Sequence, residues 1–478
     1  MSSDRGTTRN QDDSGPPSGE TPASLQIDRI IAGGDGMARQ SDGRVVFVPR
    51  TAPGERVEVE YTEEHAQWLR ARLLRVIDPS PQRREPPCPY YDACGGCQLQ
   101  HIDYNTQLSI KSSIVADSLR RLGGFEIDPP SVVRSPRELG YRNRITLVLR
   151  RHGDEIALGY HRFDNPSRLV AVDRCPLAEE PINDVWSAVS PWLKQVGEGI
   201  PRGAERRGGG APGQRPRTGA SSGALRGGER RLTFRVNSEG RVGLTIEGVS
   251  RPSDIDRPVL EGLVETGLAA VWMVNEKGWI IAHAGTETLD EKWESHAIPL
   301  AGTAFVQVNR EAAAHLDEYV IEQCGTSVGA RVVDAYCGFG TRAFDLARTG
   351  ASVVGIDSYR HAIRAASEIG AALDLPIRFV SDRVESVLSQ ELPADVVILN
   401  PPRGGVAPEV IKALLHRPPN RIVYVSCDPA TLARDMKNLT GGFALETVGA
   451  FDLFPQTAHI ETVVTLMRRP AEPPQTPV

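Results

Sequence analysis

The sequence predicts an α/β protein that ends in a doubly wound, largely parallel sheet and carries two mostly β parts ahead of it. Three observations predict this. From about Leu300 onward, short β-branched runs alternate with helical stretches, the texture of strands covered on both faces by crossover helices. Residues 25–79 hold several short β-segments separated by glycine-rich turns, which suggests a small barrel of the OB type. Between the two, three of the seven cysteines, Cys88, Cys94 and Cys97, gather on one short loop.

At 478 residues the chain exceeds a single core, so several domains are expected. A hydrophobic share of 40% and a charged share of 24% are ordinary for a globular protein. No apolar run approaches the ~18 residues that a membrane helix needs. Residues 1–24 lack the apolar centre of a signal peptide and read as a disordered tail, with a second tail at 471–478. An odd and uneven set of cysteines fits a reducing cytoplasm, with thiols kept for metal or chemistry. The net charge of −6 does not announce a nucleic-acid partner, yet arginines outnumber acids from Val132 to Arg174, and electrostatic footprints are local.

Within 25–79, Val45–Val48 is a β-branched run, and Val57 and Val59 alternate along the next segment. The central part, 80–299, opens with the cysteine loop. A helical pattern follows, "YNTQLSIKSSIVADSLRRLGG", stopped by Gly123 and Gly124. Residues 131–283 read mainly as strands, interrupted by a low-complexity Arg/Gly loop at about 197–231 that cannot bury a core. In 300–470, "VVDAYCGFGT" places Asp334 at a strand end, with Gly338 and Gly340 in the turn into a helix. Asp357, about twenty residues on, closes the next strand, where an acid can hold ribose hydroxyls. Asn400 in "LNPPRGG" and Cys427 in "VSCDPATLARD" also follow strands, so all three converge on the crevice beyond the strands' carboxyl ends. Cys324 reads as an inert core residue. Glu461 begins the last strand, just after His459.

Cys88-x5-Cys94-x2-Cys97 supplies three soft ligands, and Cys175 in "VDRCPLAEE" a fourth. Four thiolates suit zinc or a [4Fe–4S] cluster, and spacing alone favours zinc.

The ordered set "FVQVN", "DAYCGFGT", "LNPPRGG", "YVSCDPATLARD" and "HIETVV" resembles the S-adenosylmethionine (SAM)-dependent RNA uracil-5 methyltransferases. "GGDGMAR…VVFVPRTAPGERV" is similar to a TRAM domain, an RNA-binding barrel, and "CPYYDACGGCQLQH" with "RCP" to the iron–sulfur site of one subgroup. The resemblance spans the chain apart from the tails and the Arg/Gly loop. It implies a Rossmann-like class I methyltransferase domain at 300–470 and a cytoplasmic enzyme acting on RNA, 23S ribosomal RNA in preference to transfer RNA, with no membrane partner. It implies Cys427 as nucleophile and Glu461 as general base. SAM contacts fall on Gln307, Tyr336, Gly338, Thr341, Asp357, Asp382 and Asn400, and the four cysteines become [4Fe–4S] ligands, with zinc the alternative. Gln307 also reads as a strand-surface amide, and Asp382 as the cap of the helix after it.

The chemistry demands such a pair. Carbon 5 of uracil attacks a methyl sulfonium only after a thiolate has added to C6, and the C5 proton must then leave. Asn400 departs from the family, which places Asp there, and Arg342 replaces a commoner apolar residue. "NPP" is also seen in methyltransferases of exocyclic amines, so methylation elsewhere on a base, or an RNA-binding factor without turnover, are the rival readings.

Overall fold

The computed structural model describes residues 23–200, 225 and 228–470; the two tails and most of the predicted Arg/Gly loop lie outside this range. The chain forms two compact units, divided between Arg83 and Arg84.

The first unit is a six-stranded sheet in the order Ala23–Gln26, Arg56–Glu64, Trp68–Asp78, Val45–Val48, Gly36–Arg39, Arg29–Ile30. Its core collects the alternate residues Val46, Val48, Val57, Val59, Leu69 and Ala71, as period-two patterning requires. The unit runs past residue 79 because Arg83 is anchored in it. The Arg83 Nη2 donates to the fully buried Glu55 at 2.8 Å. Burial pushes the Glu55 carboxyl up, and Arg83 with the Ala52 N–H outweigh it, so the group lies below its ordinary pKa.

In the second unit, a seven-stranded sheet runs Leu169–Ala171, Glu155–His161, Arg144–His152, Glu229–Val236, Val242–Glu247, Ala270–Val274, Ile280–Gly285. Sequence reading expects mainly strands here, yet helices Glu180–Glu198 and Arg257–Glu265 cover one face. Pro191 disguises the first of them. An internal proline costs a helix ~3 kcal/mol, but burial of Ile182, Trp186, Val189, Leu193 and Val196 on one stripe outweighs it.

The C-terminal sheet comprises β1 (Arg331–Ala335), β2 (Ser352–Asp357), β3 (Ile377–Ser381), β4 (Val396–Leu399), β5 (Arg421–Ser426), β6 (Phe443–Phe451) and β7 (Glu461–Arg468). Its order is 3-2-1-4-5-7-6, with the short strand Val132–Val133 added beside β6. All pairs through β5 are parallel; β7 is antiparallel to both β5 and β6. Val333, Val397, Ile422 and Val464 face one core, while Val332, Val396, Val423 and Val463 face another. The winding reverses between β1 and β4, which opens the ligand crevice of a doubly wound sheet beyond their carboxyl ends. Sequence reading separates 80–299 from this domain. Instead, helix Tyr104–Ser118 packs on its first face through Val115, and Lys111 forms a fully buried ion pair with Asp452 at 2.6 Å.

Candidate active site

The turn after β1 is conformationally demanding. Tyr336, Gly338 and Gly340 all have positive φ, 66°, 57° and 76°, before helix Thr341–Arg348 begins. A side chain at Gly340 would meet the Phe379 ring at 2.7 Å, whereas nothing lies within 4 Å of a Cβ at Gly338, leaving room for a ligand. Asp357, at the end of β2, braces this turn: Oδ2 accepts the Gly338 N–H at 3.0 Å and Oδ1 the Tyr359 N–H at 2.8 Å. A carboxylate offers about four acceptor sites, so capacity remains for a ribose diol. Asp382 follows β3, exposed, with its N–H on the Asp357 carbonyl at 3.1 Å. It does not cap the helix Val384–Glu391: its Oδ1 accepts from the adjacent Arg383 N–H at 2.6 Å, and the helix has no side-chain cap among the described residues. Gln307 lies in an irregular segment rather than a strand, and its carbonyl accepts from Asn143 Nδ2 at 2.8 Å. Asn400 is half-buried at the end of β4, its N–H on the Ala335 carbonyl at 3.3 Å.

The β5–β7 register brings the predicted thiol and carboxylate together. Ser426 pairs with Thr462, so Cys427 and Glu461 stand one step beyond that pair on neighbouring strands. Burial pushes the Glu461 carboxyl up to about 7, against the nearby Arg342 and Arg403. Burial, with the Glu461 charge adding, pushes the Cys427 thiol up to about 11, against Arg403. Cys427 also precedes helix Pro429–Leu439, capped by Asp428 through the Ala430 and Thr431 N–H groups at 3.0 and 2.9 Å. A helix N-terminus favours a thiolate. Burial and the cations Arg403, Arg142 and Lys111 hold His459 down to about 3, so it is neutral at physiological pH.

Two arginines therefore join the site that sequence reading did not place there. Arg403 acts on Cys427, Glu461 and His459 together, and its buried Nη1 has no hydrogen-bond partner among the described residues. Its loop is pinned from behind: Asp435 accepts the Val406 N–H at 3.0 Å and the Tyr424 hydroxyl at 2.7 Å. Arg342 pairs with Asp317 at 2.6 Å and faces the buried Asp334, whose carboxyl burial pushes up to about 7. The basic residue in "PPRGG" was a visible signal for Arg403; Arg342 stood out only as a departure.

The cysteine loop is held against the seven-stranded sheet. Cys94 bridges Arg162, and Gly95 N–H donates to the His161 carbonyl at 3.0 Å. Asn183 clamps Cys175 from both sides, accepting its N–H at 3.0 Å and donating to its carbonyl at 3.3 Å. Burial pushes the Cys97 thiol up to about 12, and Cys175 and Cys94 add to it against Gln100 and Arg142, so three of the four thiols sense one another. Among the described residues, no three metal-binding side chains converge closely enough to hold an ion as they stand. The donor chemistry nevertheless fits a soft metal group: thiols from two segments, beside the half-buried Arg142 guanidinium that offsets anionic charge.

Sheet order and glycine turn together define a doubly wound, nucleotide-cofactor type of α/β domain. Comparison with known proteins narrows the class. Residues 287–469 match the family model for tRNA (uracil-5-)-methyltransferases and residues 27–74 that for the TRAM domain. An uncharacterized RNA methyltransferase of Gloeobacter violaceus is 36% identical, covering 93% of this chain and 96% of its own. A 23S rRNA (uracil(1939)-C(5))-methyltransferase of Shewanella sediminis is 29% identical over 92% of this chain and 94% of its own. The crystal structure of Pyrococcus abyssi tRNA (uracil-54, C5)-methyltransferase, in complex with S-adenosyl-L-homocysteine, shares the fold at a TM-score of 0.64 and 24% identity, covering 93% and 100% of the two chains. The chain belongs to the SAM-dependent RNA uracil-5-methyltransferase family.

Proposed function

We propose that this protein methylates C5 of a uridine in structured RNA, 23S ribosomal RNA in preference to transfer RNA, through a covalent adduct between Cys427 and uracil C6. The observation that carries the reading is the juxtaposition of Cys427 and Glu461 across β5 and β7, with Arg403 acting on both.

The thiol must ionise before it attacks, and Arg403 and the helix N-terminus favour the anion that burial opposes. Thiolate addition to C6 breaks the C5–C6 π bond and moves its electron pair onto C5 and O4. The unsatisfied Arg403 Nη1 is a donor suited to the carbonyl oxygen that gains this charge. SAM, when bound, would supply an electrophilic methyl group to C5, its S–CH3 bond breaking to leave the neutral thioether S-adenosylhomocysteine. Glu461 then accepts the C5 proton; the released pair re-forms the C5–C6 double bond and expels the Cys427 thiolate. A carboxylate poised near 7 suits that proton transfer at physiological pH. Asn400 keeps an acceptor for uracil N3–H in its amide oxygen, in place of a carboxylate.

Gln307, Tyr336, Gly338, Thr341, Asp357, Asp382 and Asn400 are the residues that hold SAM in this reading, the Asp357 carboxylate meeting the ribose. Cys88, Cys94, Cys97 and Cys175 would hold a [4Fe–4S] cluster, with zinc the alternative, and the group would supply a cross-link between their two segments. The TRAM-type barrel supports an RNA partner. So does Phe305, 60% exposed with the Arg144 guanidinium 5.6 Å from its ring, a platform on which a base stacks.

The test is RNA carrying 5-fluorouridine at the target, whose fluorine does not leave as a proton does. Wild type is expected to form a trapped complex that survives denaturation, and Cys427→Ala none. A complex that persists in Cys427→Ala refutes the nucleophile assignment.

A further inference from the structure

The cysteine loop and the segment that delivers Glu461 are hydrogen-bonded to each other around Gln456. Gln456, in the connection from β6 to β7, is fully buried, and its φ of 70° is a conformation that non-glycine residues rarely adopt. Every polar group on it is engaged. Its carbonyl accepts the N–H groups of Gln98 and Leu99, the residues directly after Cys97, at 3.1 and 3.0 Å. Its N–H donates to Gln107 Oε1 at 3.0 Å, while Gln107 Nε2 returns a bond to its Oε1 at 3.0 Å. Arg84 Nη2 donates to the same Oε1 at 2.9 Å.

Neighbouring contacts repeat the tie. Ala458 N–H donates to Gln98 Oε1 at 3.3 Å, and the Tyr141 hydroxyl to the Pro455 carbonyl at 3.0 Å. Gln107 Nε2 also reaches the Leu99 and Ile102 carbonyls at 3.0 and 2.9 Å, so one buried amide joins the two segments. The buried Lys111–Asp452 pair, from the same helix as Gln107, fixes the start of the connection. A disfavoured backbone conformation persists only where its surroundings over-determine it, and such residues cluster where geometry serves chemistry.

We infer that Gln456 is a positioning residue: it ties the cysteine loop to the segment bearing His459 and Glu461, so that the order of that loop sets how well Glu461 is aimed at the C5 proton. The inference rests on the reading of Glu461 as the base. Only four residues lie between Gln456 and Glu461, and Gln98 follows Cys97 directly. Disturbance at the thiols thus reaches the carboxylate through a short, buried path.

The test uses the full chain, tritiated SAM and a 23S ribosomal RNA transcript that the wild type methylates. Gln456→Gly removes the amide hooks without straining the backbone. Gln107→Ala removes the buried amide that joins Gln456 to the Leu99 and Ile102 carbonyls and leaves the sequence of 453–461 unchanged, which covers the case in which the first variant does not fold. Both are expected to lower kcat by about tenfold to a hundredfold, the scale of a ~1 Å misplacement, with KM for RNA within about threefold. Both should accumulate methylated covalent complex on ordinary RNA, as Glu461→Gln does, because proton removal is the step that slows. Hydrogen exchange over 453–461 should speed up in both, and in Cys97→Ser as well. Normal kcat without accumulated complex, or exchange over 453–461 unchanged in Cys97→Ser, overturns the inference. Fast turnover by Glu461→Gln instead overturns the base assignment, while exchange still reports the tie.

Discussion

Replacing Glu461 by glutamine tests the site through stability as well as through turnover. Glu461 is 5% exposed, and burial moves its carboxyl pKa from 4.5 to about 7 in the folded protein. The folded state therefore holds its proton more tightly than the unfolded chain. Stability from this group is full below 4.5 and is lost as the pH rises through about 7. At ~1.4 kcal/mol per pH unit, the ionised carboxylate costs roughly 3 kcal/mol above pH 7. Glutamine is neutral throughout and escapes that cost. The stability difference between Glu461→Gln and wild type should accordingly be roughly 2–3 kcal/mol more favourable to the variant at pH 8 than at pH 5. Urea unfolding of both proteins at the two pH values measures it, and subtraction cancels every other titrating group. A difference independent of pH would sink the reasoning, because a carboxyl with an ordinary pKa has no such dependence. The same variant should accumulate methylated complex on RNA, since an amide cannot accept the C5 proton.

Three further outcomes are expected. Arg403→Ala should slow formation of the 5-fluorouridine complex by about tenfold or more and shift the alkaline rise of its rate to higher pH, with Arg403→Lys intermediate; stopped-flow trapping across pH 6–10 reads both. Asn400→Asp should methylate at a similar or higher rate if the amide oxygen imitates the acid, and a loss of more than about tenfold in a filter-binding methylation assay would show that the amide N–H groups are used. Protein purified without oxygen should be brown, with about four irons per chain. Cys97→Ser should lose the iron and melt at lower temperature, whereas a colourless zinc protein by elemental analysis contradicts the cluster.

Much of this was legible in the chain. Strand-helix alternation, the glycine turn at 338–340 and the acid at Asp357 announce a doubly wound sheet, because all three obey local stereochemical rules. Cys427, Asn400 and Asp357 could be sent to one crevice for the same reason: each ends a strand, and such ends share an edge. Helix Glu180–Glu198 was not legible, because Pro191 spoke against a helix that only tertiary burial of Trp186 and its neighbours sustains. Nor was Gln307's irregular backbone, which the Asn143 amide helps to hold.

What the sequence by itself determined is the inventory: a thiol, a carboxylate, a glycine turn and a set of four further cysteines. What only the tertiary structure decided is their electrostatics and their joining. Arg403 on Cys427, Arg342 on Glu461 and Gln456 across the cysteine loop are interactions between segments apart in the chain. Such contacts leave no period or spacing to read. They arise because a buried polar group must find its partner wherever folding brings one within reach.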